Sequence, residues 1–116
     1  MTITRHESGP RMSHAVVYNG MVFLAGQVAS ETAGRSVGEQ TAEILKRIEE
    51  LLAKAGSDKS KMLSTTIYLA DISTFAEMNA VWDAWVDKAN PPARATVEAK
   101  LAAPKYTVEI VVVAAA

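Results

Sequence analysis

No cysteine occurs among the 116 residues. That excludes a disulfide framework, a thiolate nucleophile and any cysteine-based metal site. No apolar run approaches the ~18 residues of a membrane span. The opening stretch Met1–Pro10 is polar, unlike an apolar leader. Charge of one sign is also missing: 12 basic and 13 acidic residues leave a formal net charge of −1, with no block of like charge. The basic footprint of a nucleic-acid binder is therefore absent. Internal repeats, low-complexity tracts and linkers are lacking too. What is present is apolar material, 49% of the chain, enough for one core. The expectation is a single domain over residues 1–116, soluble and cytoplasmic, with neither a nucleic-acid nor a membrane partner.

Short runs rich in Val, Phe and Leu, His14–Asn19 and Met21–Ala25, flank Asn19-Gly20. Asn-Gly between apolar runs predicts a two-residue hairpin, because both turn positions need positive φ. Gly26 follows directly and suggests a bend or a close approach of the backbone. Ser36 with Glu39 reads as a capping box. Beyond it Val37, Ile44, Leu45, Ile48, Leu51 and Leu52 keep the helical period until Gly56, a natural stop. Met62–Ala70 reads as a third strand and Asp71–Ala89 as a second helix. Its apolar stripe includes Phe75, Met78, Trp82 and Trp85, and Pro91-Pro92 ends it. Two strands, Ala93–Ala99 and Tyr106–Ala116, close the chain. The order β-β-α-β-α-β-β predicts an α+β domain with both helices on one face of the sheet.

Such a sheet leaves a face uncovered. In the last strand Val108, Ile110 and Val112 point one way, Val111, Val113 and Ala115 the other, so neither side is polar. An apolar sheet face of several hundred Å² is unusual on a monomer. A homo-oligomer that buries it is expected.

Glu109 lies on that second face among valines. A buried carboxylate must be paired, hydrogen-bonded or kept for chemistry. Arg94, after the stiff Asn90-Pro91-Pro92-Ala93, supplies a planar fork that matches a carboxylate bidentately. Arg94, Thr96 and Glu98 share one face of their strand. If the last two strands form a hairpin around Ala102–Pro104, Thr96 falls opposite Glu109 and Arg94 one diagonal step away. An apolar surround raises the pKa of a glutamate and a nearby arginine lowers it, and the sequence leaves the two pulls open. Residue types alone favour a neutralising ion pair in a subunit interface over a site.

Other candidates are weaker. Gly26 could admit a ligand to the main chain. The amide of Asn79 could reach a ligand, or simply be solvated. Arg11, ahead of the first strand, could reach a cleft or be solvated. Trp82 and Trp85 read as core or interface. His6 and His14 lack metal-ligand spacing, and neither a phosphate loop nor a triad signature is present.

Together Leu24-Ala-Gly-Gln27, Phe75-Ala-Glu-Met-Asn79, Pro92-Ala-Arg94-Ala-Thr-Val97 and Val108-Glu109-Ile110 resemble the Rid proteins, the YjgF-like reactive-intermediate deaminases. The strand-helix order agrees over nearly the whole chain. The resemblance implies a chorismate-mutase-like fold and a homotrimer with clefts between subunits. It implies hydrolysis of 2-imino acids, or their enamine tautomers, to 2-keto acids and ammonia, without metal or organic cofactor. Arg94 would grip the substrate carboxylate and Glu109 would position the attacking water. Groups near Gly26 and Thr96 would hold substrate and water, with Asn79 close to the pocket. Three departures bear on the substrate. Arg11 and Met12 follow Gly9-Pro10 where close relatives carry a pocket tyrosine, Ala25 replaces a hydroxyl residue, and Thr96 replaces a cysteine. The alternative is a module that binds a 2-keto acid in the same cleft without catalysis. Ribonuclease activity, ascribed to some relatives, fits poorly with balanced charge and no basic-aromatic surface.

Overall fold

Asn19 and Gly20 adopt φ of 51° and 74° in the computed structural model, which describes residues 1–116. Both central residues of the tight turn are thus left-handed, as the hairpin requires. The turn joins β2 (Ser13–Tyr18) to β3 (Met21–Leu24), with Tyr18 opposite Met21. Ahead of them lies β1 (Thr4–Ser8), antiparallel to β2. Its polar, exposed residues gave no apolar alternation, so the expected element order lacked it.

The long helix α1 (Val37–Lys54) begins where its cap was expected. Ser36 Oγ accepts from the Glu39 amide at 3.2 Å, a contact worth about 1 kcal/mol. Val37, Ile44, Leu45, Ile48, Leu51 and Leu52 are all buried. Its polar face does more than meet water. Arg47 and Lys54 both pair with Glu7 of β1, and Glu43 accepts from the amide and hydroxyl of Thr32 at 2.7 Å each.

β4 (Met62–Leu69) leads through a 3₁₀ turn, Ile72–Thr74, into α2 (Phe75–Trp85). Asp71 caps that turn by accepting from the Ser73 amide at 2.9 Å. α2 is shorter than the expected Asp71–Ala89. Val86 is already extended, with ψ of 145°, and the Trp85 carbonyl is satisfied by Lys59 Nζ at 2.7 Å. β5 (Ala93–Glu98) and β6 (Val108–Ala115) complete a six-stranded sheet in the order β1-β2-β3-β6-β4-β5.

This order corrects one expectation: β5 and β6 do not form a hairpin. β4 lies between them, parallel to β5 and antiparallel to β6. The reason is α2. A strand-helix-strand unit brings its second strand back in the first one's direction, so β5 pairs with β4 in parallel. The segment after β5 then crosses to the other side of β4. Buried Gln40 of α1 holds that segment, donating to Lys105 O at 3.0 Å and accepting from the Thr107 amide at 2.9 Å.

Both helices pack on one face, over Val22, Ile67, Leu69, Val108, Ile110 and Val112. The other face carries Tyr18, Phe23, Tyr68, Val97, Val111 and Val113 by register, all at least partly exposed. Phe23 is 45% exposed and Val97 43%. The bare apolar face read from the alternation of the last strand is there. No helix is long and apolar enough to cross a membrane.

Candidate active site

Arg94 pairs in register with Thr65, which is 1% exposed beneath the helices. Parallel partners share a face, so Arg94 lies on the helix-covered side, at the sheet edge. Its Nη1 donates to Asn79 Oδ1 at 2.7 Å, and its Cζ stands 5.3 Å from the Trp82 ring centroid and 5.9 Å from that of Phe75. A guanidinium has five N–H donors. One goes to Asn79, and none of the chain's five ion pairs involves Arg94. The result is an exposed cationic fork with donors to spare, the chemistry that selects a carboxylate.

Thr96 shares the face of Arg94 and pairs with Ile67. Its hydroxyl, like that of Thr65, is buried and bonds to nothing in the chain. Each such orphan costs about 1–3 kcal/mol. Glu98, next on that face, accepts from the Ile72 amide at 3.0 Å and so is structural.

Glu109 stands on the opposite face, between the buried Val108 and Ile110 in sequence and opposite Tyr68 in register. It is half-buried and takes part in none of the chain's ion pairs. With Tyr68, Lys100, Leu101 and Val111 it lines a hollow of about 320 Å³. Gly26 lies under its side chain. A Cβ there would fall inside contact distance of Glu109 Oε2 and 3.0 Å from its Cδ. The close approach suggested by Gly26 is therefore real, and what approaches is the glutamate.

Arg11 and Met12 occupy the turn between β1 and β2, closed by the Gly9 amide donating to Met12 O at 2.8 Å. Both are exposed at the β1 side of the sheet, and β5 is the other edge. The expected site residues thus fall into three groups. Asn79, Arg94 and Thr96 gather beside α2; Gly26 and Glu109 gather on the open face; Arg11 and Met12 stand apart. The expected diagonal contact between Arg94 and Glu109 does not exist within one chain, because it relied on the hairpin that β4 interrupts.

Beside Gly26 runs a polar groove of about 510 Å³ between α1 and residues 27–31, with His14 at its wall. Buried Gln27 donates to Ala25 O at 3.0 Å and lies 3.2 Å from His14 Nδ1. Burial pushes the Glu43 carboxyl up, but hydrogen bonds from Thr32, Glu31 and Ser30 outweigh it and hold it below the usual range. At the outer end, hydrogen bonds from Arg47 and then Lys54 lower the Glu7 carboxyl to about 2. No three His, Asp or Glu side chains converge to ligate a metal.

From the sequence, Trp82 reads as core or interface, and Phe75, Tyr68 and Lys100 have no role near the site. The i, i+4, i+7 spacing of Phe75, Asn79 and Trp82 was the available signal for the first two.

Comparison with known proteins agrees with this architecture. A family model described as "Endoribonuclease L-PSP" matches residues 2–116. A RutC family protein of Haemophilus influenzae is 48% identical over 114 residues, covering 98% of each chain. The crystal structure of a YjgF family member from Neisseria meningitidis superposes with a TM-score of 0.96 at 48% identity, covering 99% of this chain and 95% of that one. The Rid family protein YyfA of Yersinia pestis superposes with a TM-score of 0.84 at 28% identity, covering 94% and 90%. With its sheet order, its glycine-seated glutamate and its unpaired edge arginine in view, the chain belongs to the YjgF/RutC family, to which the Rid proteins also belong.

Proposed function

We propose that the protein hydrolyses 2-imino acids, or their enamine tautomers, to 2-keto acids and ammonia in clefts between the protomers of a homotrimer. The observation that carries this reading is Arg94, a braced guanidinium at a sheet edge with no carboxylate of its own chain to neutralise it. Such a group is built to receive a carboxylate from elsewhere.

Arg94 and Glu109 lie on opposite faces of one sheet, so a site containing both needs two protomers. The apolar open face supplies the reason for association. Covering it brings another chain against Glu109 and its hollow. Arg94 of one protomer and Glu109 of the next then form the two walls of a cleft.

The chemistry follows from those groups. Arg94 fixes the substrate carboxylate, which sets C2 in place. Glu109 accepts a proton from water as the water oxygen bonds to C2, giving a carbinolamine. The same carboxyl returns that proton to nitrogen. The C–N bond breaks and ammonia leaves as the C2 hydroxyl gives its proton to Glu109, so C2–O becomes the carbonyl, and Glu109 then passes that proton to the ammonia. Positioning of this kind is worth up to about 7–11 kcal/mol of barrier, and acid-base transfer a further ~10²–10⁴-fold. The protonated imine is itself electrophilic, so the reaction calls for no cofactor.

The test is to generate the imine with an amino-acid oxidase or dehydratase and follow its decay. The wild type should accelerate the decay and Arg94→Ala should abolish the acceleration. Equal rates for the two would refute the assignment. Tight binding of 2-ketobutyrate with no acceleration would leave a carboxylate receptor instead of an enzyme.

A further inference from the structure

We infer that the α2 stripe Phe75, Asn79 and Trp82 is the positioning element of the carboxylate anchor, holding the Arg94 guanidinium in its receiving pose before any ligand arrives. The inference rests on the anchor reading above, and it assigns these three residues a role in presenting Arg94 rather than in touching the substrate.

An arginine on an exposed edge strand is otherwise free to sweep through solvent, and its order must then be supplied on binding. Here three contacts remove that freedom. Asn79 Oδ1 holds Nη1 at 2.7 Å, and the rings of Trp82 and Phe75 lie 5.3 and 5.9 Å from Cζ, inside cation–π range. The spacing i, i+4, i+7 puts all three side chains on one side of α2, so a rigid helix carries them together.

The shelf is itself anchored. Trp82 is only 5% exposed, and its ring centroid is 5.5 Å from that of Trp85. Trp85 Nε1 in turn donates to Glu49 of α1 at 2.5 Å. The guanidinium is thereby tied through two indoles to the longest helix of the protein. Asn79 also has the right chemistry for the task. A neutral amide oxygen orients the fork and leaves its charge for the ligand, whereas a carboxylate at the same place would consume it.

The same arrangement bears on ligand choice. Asn79 takes one N–H of the fork, and no other hydrogen bond within the chain uses the rest of its N–H edge. A flat carboxylate can use that edge bidentately.

Side-chain ¹⁵N–¹H spectra of Arg94 in the ligand-free protein, together with titration of 2-ketobutyrate, test this. In the wild type the Arg94 Nε–H signal should be sharp, slowly exchanging and shifted by the Trp82 ring. Asn79→Ala and Trp82→Leu should broaden that signal and weaken 2-ketobutyrate binding about tenfold, while Trp82→Phe, which keeps a ring, should stay within about threefold. Asn79→Asp, nearly isosteric, should weaken binding more than Asn79→Ala by pairing with the fork. Wild-type signal and affinity in Asn79→Ala and Trp82→Leu, with binding still lost in Arg94→Ala, would overturn the inference and leave the anchor reading intact. Failure of wild type and Arg94→Ala alike to bind 2-ketobutyrate would overturn the anchor reading and the inference with it.

Discussion

Arg94 and Glu109 occupy opposite faces of one sheet, and their surroundings differ in kind. Arg94 is braced by an amide and two rings on a helix that is locked to its neighbour. Glu109 rests over a glycine, among valines, with the sheet's bare face around it. The braced side is finished within one chain. The bare side is unfinished, and a second chain is what the apolar surface asks for. The contrast teaches that, on the proposed function, half of the site is a matter of folding and half a matter of association.

The largest effect expected from breaking the contrast is on the bare side. Phe23→Asp places a charge at the middle of the open face while leaving the helix-covered core untouched. The chain should stay folded by circular dichroism, run as a single protomer by light scattering, and lose all acceleration of imine decay. An oligomer with full activity would contradict the account.

Next in size is Gly26→Ala. The added methyl displaces the Glu109 carboxylate, and a shift near 1 Å in a catalytic group can cost ~10²-fold in rate. The loss should fall on kcat, with 2-ketobutyrate affinity close to wild type, because Arg94 is undisturbed. A change confined to KM would place Gly26 against the substrate instead.

Neighbouring residues of β6 sharpen the comparison further. Ile110 is fully buried under the helices, so Ile110→Ala should cost about 2–5 kcal/mol of folding stability. Val111, on the open face, should cost less when cut to Ala, and its effect should shrink as protein is diluted and protomers separate. Denaturant titrations at two protein concentrations would distinguish the faces.

The smallest effect concerns β1. Hydrogen bonds from Arg47 and Lys54 lower the Glu7 carboxyl from 4.5 to about 2. A lowered carboxylate pKa contributes stability that is present above 4.5 and fades as pH falls toward 2. Thermal melts of Glu7→Gln should be slightly lower than wild type at neutral pH and converge with it in acid. Parallel curves at every pH would show that the ion pairs contribute nothing.

Much of this fold could be read locally. Asn19-Gly20 announced its turn, Ser36 and Gly56 bracketed α1, and the alternation from Val108 to Val113 told buried from bare. These features depend on residues a few positions apart. The partners of β5 did not follow, because strand neighbours are chosen by packing across the whole chain. Still, the strand-helix-strand order of β4, α2 and β5 carried the parallel pairing, and it was outweighed by the short Ala102–Pro104 connection. β1 was silent because an exposed polar edge strand has no apolar period.

The site was legible in its residues and not in its geometry. A lone arginine after a stiff Pro-Pro segment and a glutamate among valines stood out by chemical type. Their separation to two faces depended on the strand order. The grip of Asn79 on Arg94, fifteen positions away, was hidden because Asn79 sits among apolar residues on a helix otherwise read as core.

The most direct test of the central claim is a hybrid. Arg94→Ala and Glu109→Gln chains, each expected to be inactive alone, are unfolded together and reassembled. If every site takes its arginine from one protomer and its glutamate from the next, random mixing in a closed ring restores about one quarter of wild-type activity per site. Activity that stays at background in reassembled, correctly sized oligomers would contradict a cleft shared between chains.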